Sequence, residues 1–167
     1  MVTLLDIVDG NDFVVATRPM LEIRSSELSE NNYLRYVNVL AFNKEGLLLL
    51  PKRPASSSHD PNCYDFSSGK YVLSGETYLG AVKRAIDEEL GVVDPSIEFL
   101  GKLSPMDGVS GFMGIYRITI DESDIDYNQD DFQSLEWYDI NTVIKMIENN
   151  PTDFKSDLGA VLKWYRG

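Results

Sequence analysis

The sequence predicts an α+β fold in which helices cover a mixed β-sheet. Short apolar runs typical of strands occur before, between and after a few helical segments. The chain has 167 residues, a length typical of one domain with a core of its own. Its 43% hydrophobic and 25% charged residues are ordinary values for a globular protein. We therefore expect a single domain over residues 1–167, with an N-terminal extension at 1–34 and a core at 35–167.

Two predicted hairpins account for the first strands. In the first, apolar runs at residues 4–8 and 13–17 flank the turn-forming sequence Asp-Gly-Asn-Asp, which predicts a hairpin or a pair of short strands. In the second, runs at residues 37–42 and 47–52 flank Asn-Lys-Glu-Gly. The other predicted extended segments are residues 64–67, 71–73, 97–103, 112–120 and 134–138.

Three helices are predicted, at residues 77–90, 141–148 and 158–165. The first is the clearest, because Gly91 is a natural stop directly after it. Helical periodicity predicts a buried face made of Leu79, Val82, Ile86 and Leu90. The same periodicity groups Ala85, Glu88 and Glu89 on an adjacent side.

The charge balance narrows the classes of function. Against 15 Lys and Arg stand 27 Asp and Glu, which gives a net charge of −12. Such an acidic chain is not expected to bind the nucleic-acid backbone or an anionic membrane surface. One Cys and one His exclude a disulfide framework and an all-Cys/His zinc site, and they favour a reducing, cytoplasmic location. Any metal ion must therefore be bound by carboxylates.

Glu88 and Glu89 are the first candidates for such a site. Neighbouring carboxylates on one helix face repel each other unless a cation lies between them. Oxygen ligands on a helix suit Mg²⁺ or Mn²⁺. The alternative is that the two glutamates form part of a solvated acidic face.

The surrounding sequence resembles the Nudix box of the Nudix hydrolase superfamily, G-x5-E-x7-R-E-U-x-E-E-x-G-U, in which U is aliphatic. The residues that match this pattern are Glu76, Arg84, Ile86, Glu88, Glu89, Gly91 and Val92. Two positions differ, because Lys70 stands at the first glycine and Ala85 at the first helix glutamate. The box is therefore degenerate, although Gly69 supplies a glycine one position earlier.

Outside the box, the segments at residues 4–9, 37–42, 47–53, 64–69 and 135–139 resemble one branch of the family. This branch contains isopentenyl-diphosphate isomerase and its hydrolase relatives. The isomerase is the poorer match, because its catalytic cysteine would fall at Ser68 and a metal-binding histidine is missing. Cys63 lies too early to replace that cysteine, and His59 falls in a loop sequence.

The resemblance implies an α/β/α sandwich with a mixed, curved sheet and a loop-helix-loop Nudix box. It also implies a Mg²⁺- or Mn²⁺-dependent hydrolase that cleaves a phosphoanhydride bond in a nucleoside di- or triphosphate or a nucleoside diphosphate derivative. A non-catalytic nucleotide-binding domain is the alternative that Ala85 keeps open. Isoprenoid diphosphate isomerisation is a third, weaker reading. Because relatives often form dimers, the N-terminal extension is a candidate contact between two copies of the chain.

The resemblance further assigns roles within the box. Glu88 and Glu89 would be catalytic metal ligands, with the Gly69 carbonyl as a backbone ligand. Glu76 and Arg84 would pair structurally, and Gly91 would end the helix.

Other candidates lie outside the helix. Asp131 would supply the acid that Ala85 lacks, or it is a solvated loop residue. Lys52 and Arg53 would face the substrate phosphates, or they are a solvent-facing strand end. Lys70 would place an ammonium group near the phosphates, or it is an exposed turn residue.

Overall fold

The computed structural model describes residues 1–28 and 31–167; residues 29 and 30 of the predicted extension lie outside the described residues. Over these ranges the chain forms eight strands and three α-helices. The strands are β1 (Leu4–Val8), β2 (Val14–Pro19), β3 (Arg35–Phe42), β4 (Leu48–Lys52), β5 (Ser68–Tyr71), β6 (Glu98–Leu103), β7 (Phe112–Thr119) and β8 (Ser134–Tyr138). The helices are α1 (Tyr78–Ala85), α2 (Ile140–Asn149) and α3 (Leu158–Arg166). Within the described ranges, no helix has the length and apolar character needed to cross a membrane.

The main sheet is mixed, with the strand order β6-β7-β3-β4-β8 and with β5 paired to β3. The β3–β7 pair is parallel, whereas the other pairs are antiparallel. Strand β4 pairs with β3 at Phe42 and Leu48, and β5 pairs with the earlier part of β3. The strand β5 therefore reaches the centre of the sheet, beside the strand with the most neighbours.

The sheet lies between two helical layers. Alternate residues of β3 face opposite sides, as the two-residue period of a strand requires. Val37 and Val39 pack with α1 in one core, and Leu40 and Phe42 pack with α2 and α3 in the other. The predicted mixed sheet and α/β/α sandwich are confirmed.

The N-terminal extension forms a separate hairpin of β1 and β2. Its inner face has a small core that includes Leu5, Ile7 and Leu34. Isolated bridges at Leu5–Leu73 and Val8–Tyr33 connect the hairpin to the rest of the chain.

The helix of the Nudix box differs in two respects from the predicted one. Thr77 caps α1 by accepting a hydrogen bond from the Gly80 N–H at 3.0 Å, and after Ala85 the helix continues as a π-helical turn over Ile86–Leu90. The predicted buried position of Leu79 is wrong, because its side chain is 51% exposed. Ala81 and Ala85 occupy the buried face instead. Their small side chains let the helix backbone approach the sheet closely.

Candidate active site

Glu89 lies at the centre of the candidate site, where the π-helical turn faces β5. The residue is only 7% exposed. Its Oε1 accepts hydrogen bonds from the Ser68 hydroxyl at 2.7 Å and from the Gly69 N–H at 2.8 Å. These two bonds fix the carboxylate against the central strands.

Burial raises the pKa of Glu89 to about 7, because the charged carboxylate loses most of its hydration. The nearby charge of Asp65 acts in the same direction. The hydrogen bonds from Ser68 and Gly69 and the positive charge of Lys70 oppose the rise, since they stabilise the ionised form. Glu89 can therefore hold or release a proton near neutral pH.

Glu88, unlike Glu89, lies at the surface beside two basic side chains. Its side chain is 49% exposed, and its Oε2 lies 3.1 Å from the Lys70 ammonium nitrogen. The same oxygen lies 3.7 Å from the Arg84 Nη1. The two glutamates that periodicity grouped together thus have different partners, and cations surround the more exposed one.

Gly69 fits its place for a steric reason. It lies opposite Asn38 in the β3–β5 pair. A Cβ added at Gly69 would overlap the side-chain oxygen of Asn38. Only glycine lets β5 approach β3 this closely while its N–H reaches Glu89.

Arg84 connects three parts of the site. Its Nε and Nη2 donate to the two carboxylate oxygens of Glu76 at 2.9 and 3.0 Å. Its Nη2 also donates to the Tyr71 carbonyl at the end of β5 at 2.8 Å. The Arg84 guanidinium holds the pKa of Glu76 below its usual range. Glu76 in turn accepts from the Leu73 N–H at 2.9 Å, so the pair ties the helix to the preceding loop.

Arg53 organises the loop that follows β4. Its Nη1 lies 2.9 Å from Asp65, and its Nη2 donates to Ser57 at 2.8 Å. Its Nε donates to the His59 carbonyl at 3.0 Å. The neighbouring Lys52 places its ammonium 5.4 Å from the centre of the Tyr64 ring. Both basic residues therefore have protein partners.

Asp131 lies in the loop between β7 and β8, which packs against the end of the helix. The Asn128 N–H donates to the Glu89 carbonyl at 2.9 Å, and the Gln133 N–H donates to the Lys52 carbonyl at 2.9 Å. Asp131 lies between these anchors, and its own N–H donates to the Asn128 carbonyl at 3.0 Å. In the part of the chain that the structure describes, its side chain makes no ion pair.

Gly91 ends the helix in the left-handed conformation, with φ 62°. A Cβ added at this position would overlap the Asp126 carbonyl oxygen. The Asp126 N–H donates to the Leu90 carbonyl at 2.9 Å. The glycine therefore both turns the chain and lets the acidic loop dock.

The donor set fits a divalent cation that also binds the substrate. Among residues 1–28 and 31–167, no group of three or more His, Cys, Asp and Glu side chains is arranged to hold a metal ion. Mg²⁺ in proteins is nevertheless commonly bound by one or two carboxylates, with phosphate oxygens and waters as the other ligands. Glu88 and Glu89 supply two carboxylates of the required chemistry beside the backbone of Gly69.

Two residues of the site were not identified from the sequence. Ser68 donates to Glu89, and the buried Asp65 binds Arg53 and acts on the pKa of Glu89. The position of Ser68 directly before Gly69 was the available signal, because a residue that precedes this glycine lies within reach of the helix. Asp65 gave no comparable signal in the sequence.

Comparison with known proteins supports one family. The NUDIX domain model matches residues 32–165. An uncharacterized Nudix hydrolase of Nostoc sp. is 38% identical over 165 residues, which cover 97% of this chain and 95% of the relative. A Nudix hydrolase of Deinococcus radiodurans is 35% identical over 136 residues, which cover 80% of this chain and 77% of the relative.

Solved structures agree with this result. The crystal structure of DR0079 from Deinococcus radiodurans has a TM-score of 0.86 and 30% identity, covering 96% of this chain and 98% of that chain. The NUDIX domain of Shewanella oneidensis NrtR, solved with ADP ribose, has a TM-score of 0.60 and 15% identity over 88% of this chain and 94% of its own, which shows a shared fold. The family model and the two Nudix hydrolase relatives show that the chain belongs to the Nudix superfamily and is a hydrolase of that family.

Proposed function

We propose that this hydrolase requires Mg²⁺ or Mn²⁺ and cleaves a phosphoanhydride bond in a nucleoside di- or triphosphate or a nucleoside diphosphate derivative. The observation that carries the proposal is the position of Glu89. A buried carboxylate is held by Ser68 and Gly69. Beside it lies a second carboxylate, Glu88, which is already surrounded by cations. This combination suits a substrate that brings both phosphates and a divalent ion.

The chain's residues divide into those that hold the cation and those that bind phosphate. In the proposal, Glu88, Glu89 and the Gly69 carbonyl hold the divalent cation. When bound, such a cation polarises the phosphoryl group and lowers the pKa of a coordinated water. Lys70 binds phosphate oxygens as a point charge on a flexible stem. Arg84 holds the helix against the end of β5, because it bonds to the Glu76 carboxylate and to the Tyr71 carbonyl.

Lys52 and Arg53 contribute to substrate binding at the end of β4. Arg53 does so by holding the loop of residues 54–63 in place, since its guanidinium bonds to Asp65, Ser57 and His59. Lys52 lies against Tyr64 and retains an ammonium that can approach a polyanion. In this arrangement the two residues shape one side of the phosphate-binding region.

Asp131 accepts the proton of the attacking water in this proposal. Ala85 removes the first helix carboxylate of the family pattern, so the site needs an acid from another element. The loop that carries Asp131 is bonded to the Glu89 carbonyl at one end and to the Lys52 carbonyl at the other. Asp131 is the half-buried acid between these two anchors.

The proposed substrate class has independent support. The NrtR domain with the same fold was solved with ADP ribose, which is a nucleoside diphosphate derivative. An acidic protein of net charge −12 also needs a divalent cation to bind a polyanion, because its own charge repels the phosphates.

A substrate screen tests the proposal. Purified protein is incubated with nucleoside diphosphates, triphosphates and diphosphate sugars, with Mg²⁺, Mn²⁺ or chelator, and ³¹P NMR detects the cleaved bond. We expect turnover of at least one substrate with a cation and none with chelator. Glu89→Gln, Glu88→Gln and Asp131→Asn are each expected to lower kcat roughly 100-fold or more, as loss of a metal ligand or general base does.

The matched control is Glu148→Gln. Glu148 is an exposed acid on α2 that pairs with Lys163 at 3.4 Å, so its loss should leave turnover unchanged. If no substrate is cleaved but nucleotides raise the Tm, the proposed hydrolysis is wrong and a binding domain is supported. Conversion of isopentenyl diphosphate would support the isomerase reading instead.

A further inference from the structure

The two departures from the family pattern change the charge of the site in the same direction. Ala85 removes a negative charge from the helix, and Lys70 adds a positive charge on β5. Ala85 is fully buried in the core under the helix. Lys70 lies opposite Val37, a residue of the same core, so its side chain leaves the sheet on the helix side. The two substitutions thus act on one small region.

The Lys70 ammonium contacts Glu88, one of the two carboxylates that would hold the metal ion. Its nitrogen is 3.1 Å from the Glu88 Oε2. Arg84 adds a second cation 3.7 Å from Glu88. Glu88 therefore already faces two side-chain cations, of which Arg84 is shared with Glu76 and Lys70 is the nearer one.

A carboxylate that is already paired with an ammonium group has less attraction for a free divalent cation than an unpaired one. Mg²⁺ would have to displace the ammonium from Glu88 and would be repelled by it at close range. Substrate phosphates change this competition, because they bring negative charge for both the ammonium and the metal ion. The lysine stem is flexible enough to move its ammonium by a few ångströms, and its side chain is partly exposed.

We propose that Lys70 is the resident cation of the substrate-free site, so that the divalent cation and the substrate diphosphate bind together while Lys70 moves from Glu88 to a phosphate oxygen. The proposal rests on the proposed function, because it assumes that a cation and a diphosphate share this site. In this proposal, the Lys70 side chain alone couples the binding of the divalent cation to the binding of the diphosphate. By linkage, the cation must strengthen diphosphate binding by the same factor as the diphosphate strengthens cation binding.

Metal binding without nucleotide is the direct test. Electron paramagnetic resonance measures the affinity of Mn²⁺ for the wild-type protein and for Lys70→Met, Lys70→Arg and Lys163→Met. We expect Lys70→Met to bind Mn²⁺ at least tenfold more tightly than the wild type. Lys70→Arg keeps the charge and should resemble the wild type. Lys163→Met removes the lysine of another carboxylate pair, with Glu148 at 3.4 Å, and should also resemble it.

A second titration measures the coupling. Methylenediphosphonate, a diphosphate that cannot be hydrolysed, is titrated into each protein by calorimetry at several fixed concentrations of free Mg²⁺. In the wild type, saturating Mg²⁺ should tighten its binding at least tenfold, and this gain should shrink several-fold in Lys70→Met. Should Lys70→Met fail to fold, as judged by its Tm, Lys70→Gln provides the same comparison.

The outcomes separate the two proposals. If Mn²⁺ binds the wild type and Lys70→Met within twofold of each other while the wild type hydrolyses a nucleotide, Lys70 is not the resident cation and the proposed function stands. If neither protein binds Mn²⁺, with or without methylenediphosphonate, and no substrate is cleaved, the proposed function itself is wrong.

Discussion

Glu89 combines two properties that have opposite effects on its protonation. It is almost fully buried, and it accepts hydrogen bonds from Ser68 and from the Gly69 backbone. Burial favours its protonated form, whereas the hydrogen bonds favour its ionised form. The balance places its pKa at about 7, within the range in which a cation or a substrate can change its charge.

Stability should therefore depend on pH through Glu89. Its pKa is about 7 in the folded state and near 4.5 in the unfolded chain, so the folded protein binds the proton more tightly between these values. Raising the pH through this window favours the unfolded state. The resulting decrease in the free energy of unfolding is complete above pH 7 and is on the order of 3 kcal/mol. Glu89→Gln, which stays neutral, should gain stability relative to the wild type as the pH rises from 4.5 to 7.

Urea unfolding at several pH values between 4.5 and 8, in buffer with chelator, measures this difference. Glu148→Gln is the control, because its exposed carboxylate should give a difference that does not change with pH. Parallel stability curves for Glu89→Gln and the wild type would contradict the assignment.

At this scale the sequence grouped the candidate residues but did not show the surroundings of each. Glu88 and Glu89 were grouped by periodicity, yet their partners lie on β5, about twenty positions earlier in the chain. Only the pairing of β5 with β3 brings Lys70 and Ser68 to the helix. A helical pattern contains no information about that pairing, so it could not distinguish the buried glutamate from the exposed one.

Small residues along the buried face and at the end of the Nudix-box helix determine how it packs on the sheet. Ala81 and Ala85 allow close packing on the sheet, and Gly91 ends the π-helical turn in a left-handed conformation. π-Helical turns occur often at functional sites, and this one carries Glu88 and Glu89. The site is thus built on a locally widened helix rather than on a regular one.

Gly91→Ala should be strongly destabilising. The substitution places a Cβ in a left-handed conformation and against the Asp126 carbonyl, which together cost about 2 kcal/mol or more. The displaced loop should also lower kcat, since it carries Asp131. Thermal unfolding and turnover measure the two effects.

Gly108→Ala is the matched control for this experiment. Gly108 is also left-handed, with φ 83°, but a Cβ there would meet no described atom within 4 Å. It should cost only about 1 kcal/mol, the conformational part alone. Equal losses for the two variants would show that contact with Asp126 is unimportant.

The elements were largely predictable because strand and helix periods differ. The predicted strand at residues 134–138 matches β8, and the predicted strand at 4–8 matches β1. The prediction was wrong at Leu79, because a helical pattern of large apolar residues gives alanine little weight. Alanine supplies two of the five buried apolar residues of the helix, Ala81 and Ala85. It also placed extended pieces on either side of Gly69, whereas β5 runs through that glycine. The close approach to Asn38 that requires glycine there is a tertiary contact.

Asp12, at the tip of the N-terminal hairpin, adds side-chain contacts to the backbone bridges that connect the extension to the rest of the chain. Asp12 accepts from the Arg35 Nε at 2.6 Å and also pairs with Lys102. Its other carboxylate oxygen lies 3.5 Å from the Tyr78 hydroxyl at the start of α1. One side chain of the extension thus contacts residues of β3, β6 and α1.

Asp12→Ala should loosen the extension without unfolding the sheet. The half-buried pairs with Arg35 and Lys102 would be lost, at a cost of about 1–3 kcal/mol. Hydrogen exchange by mass spectrometry should show faster exchange in β1 and β2 and unchanged exchange in β7. Glu27→Ala removes a more exposed ion pair within the extension, with Arg18, and should have little effect. Faster exchange spread evenly over the whole chain would contradict this division.

Contact between two copies of the chain through the N-terminal extension stays a prediction. Phe13, Val14 and Val15 of the extension are exposed in the single chain. Their apolar side chains are compatible with a contact at this position. Light scattering at several protein concentrations measures the mass of the particle and so distinguishes one copy of the chain from two.

The parallel pairing of β3 with β7 has a consequence for how the chain is made. The two strands come from the first and the last third of the sequence, although they lie side by side in the centre of the sheet. During synthesis, β3 can pair with β4 and β5 soon after they leave the ribosome, while its other edge stays open until β7 emerges. The contacts of Glu88 and Glu89 with β5 can therefore form before the sheet is complete. Closing the long loop between β3 and β7 is the step that we expect to limit the folding rate.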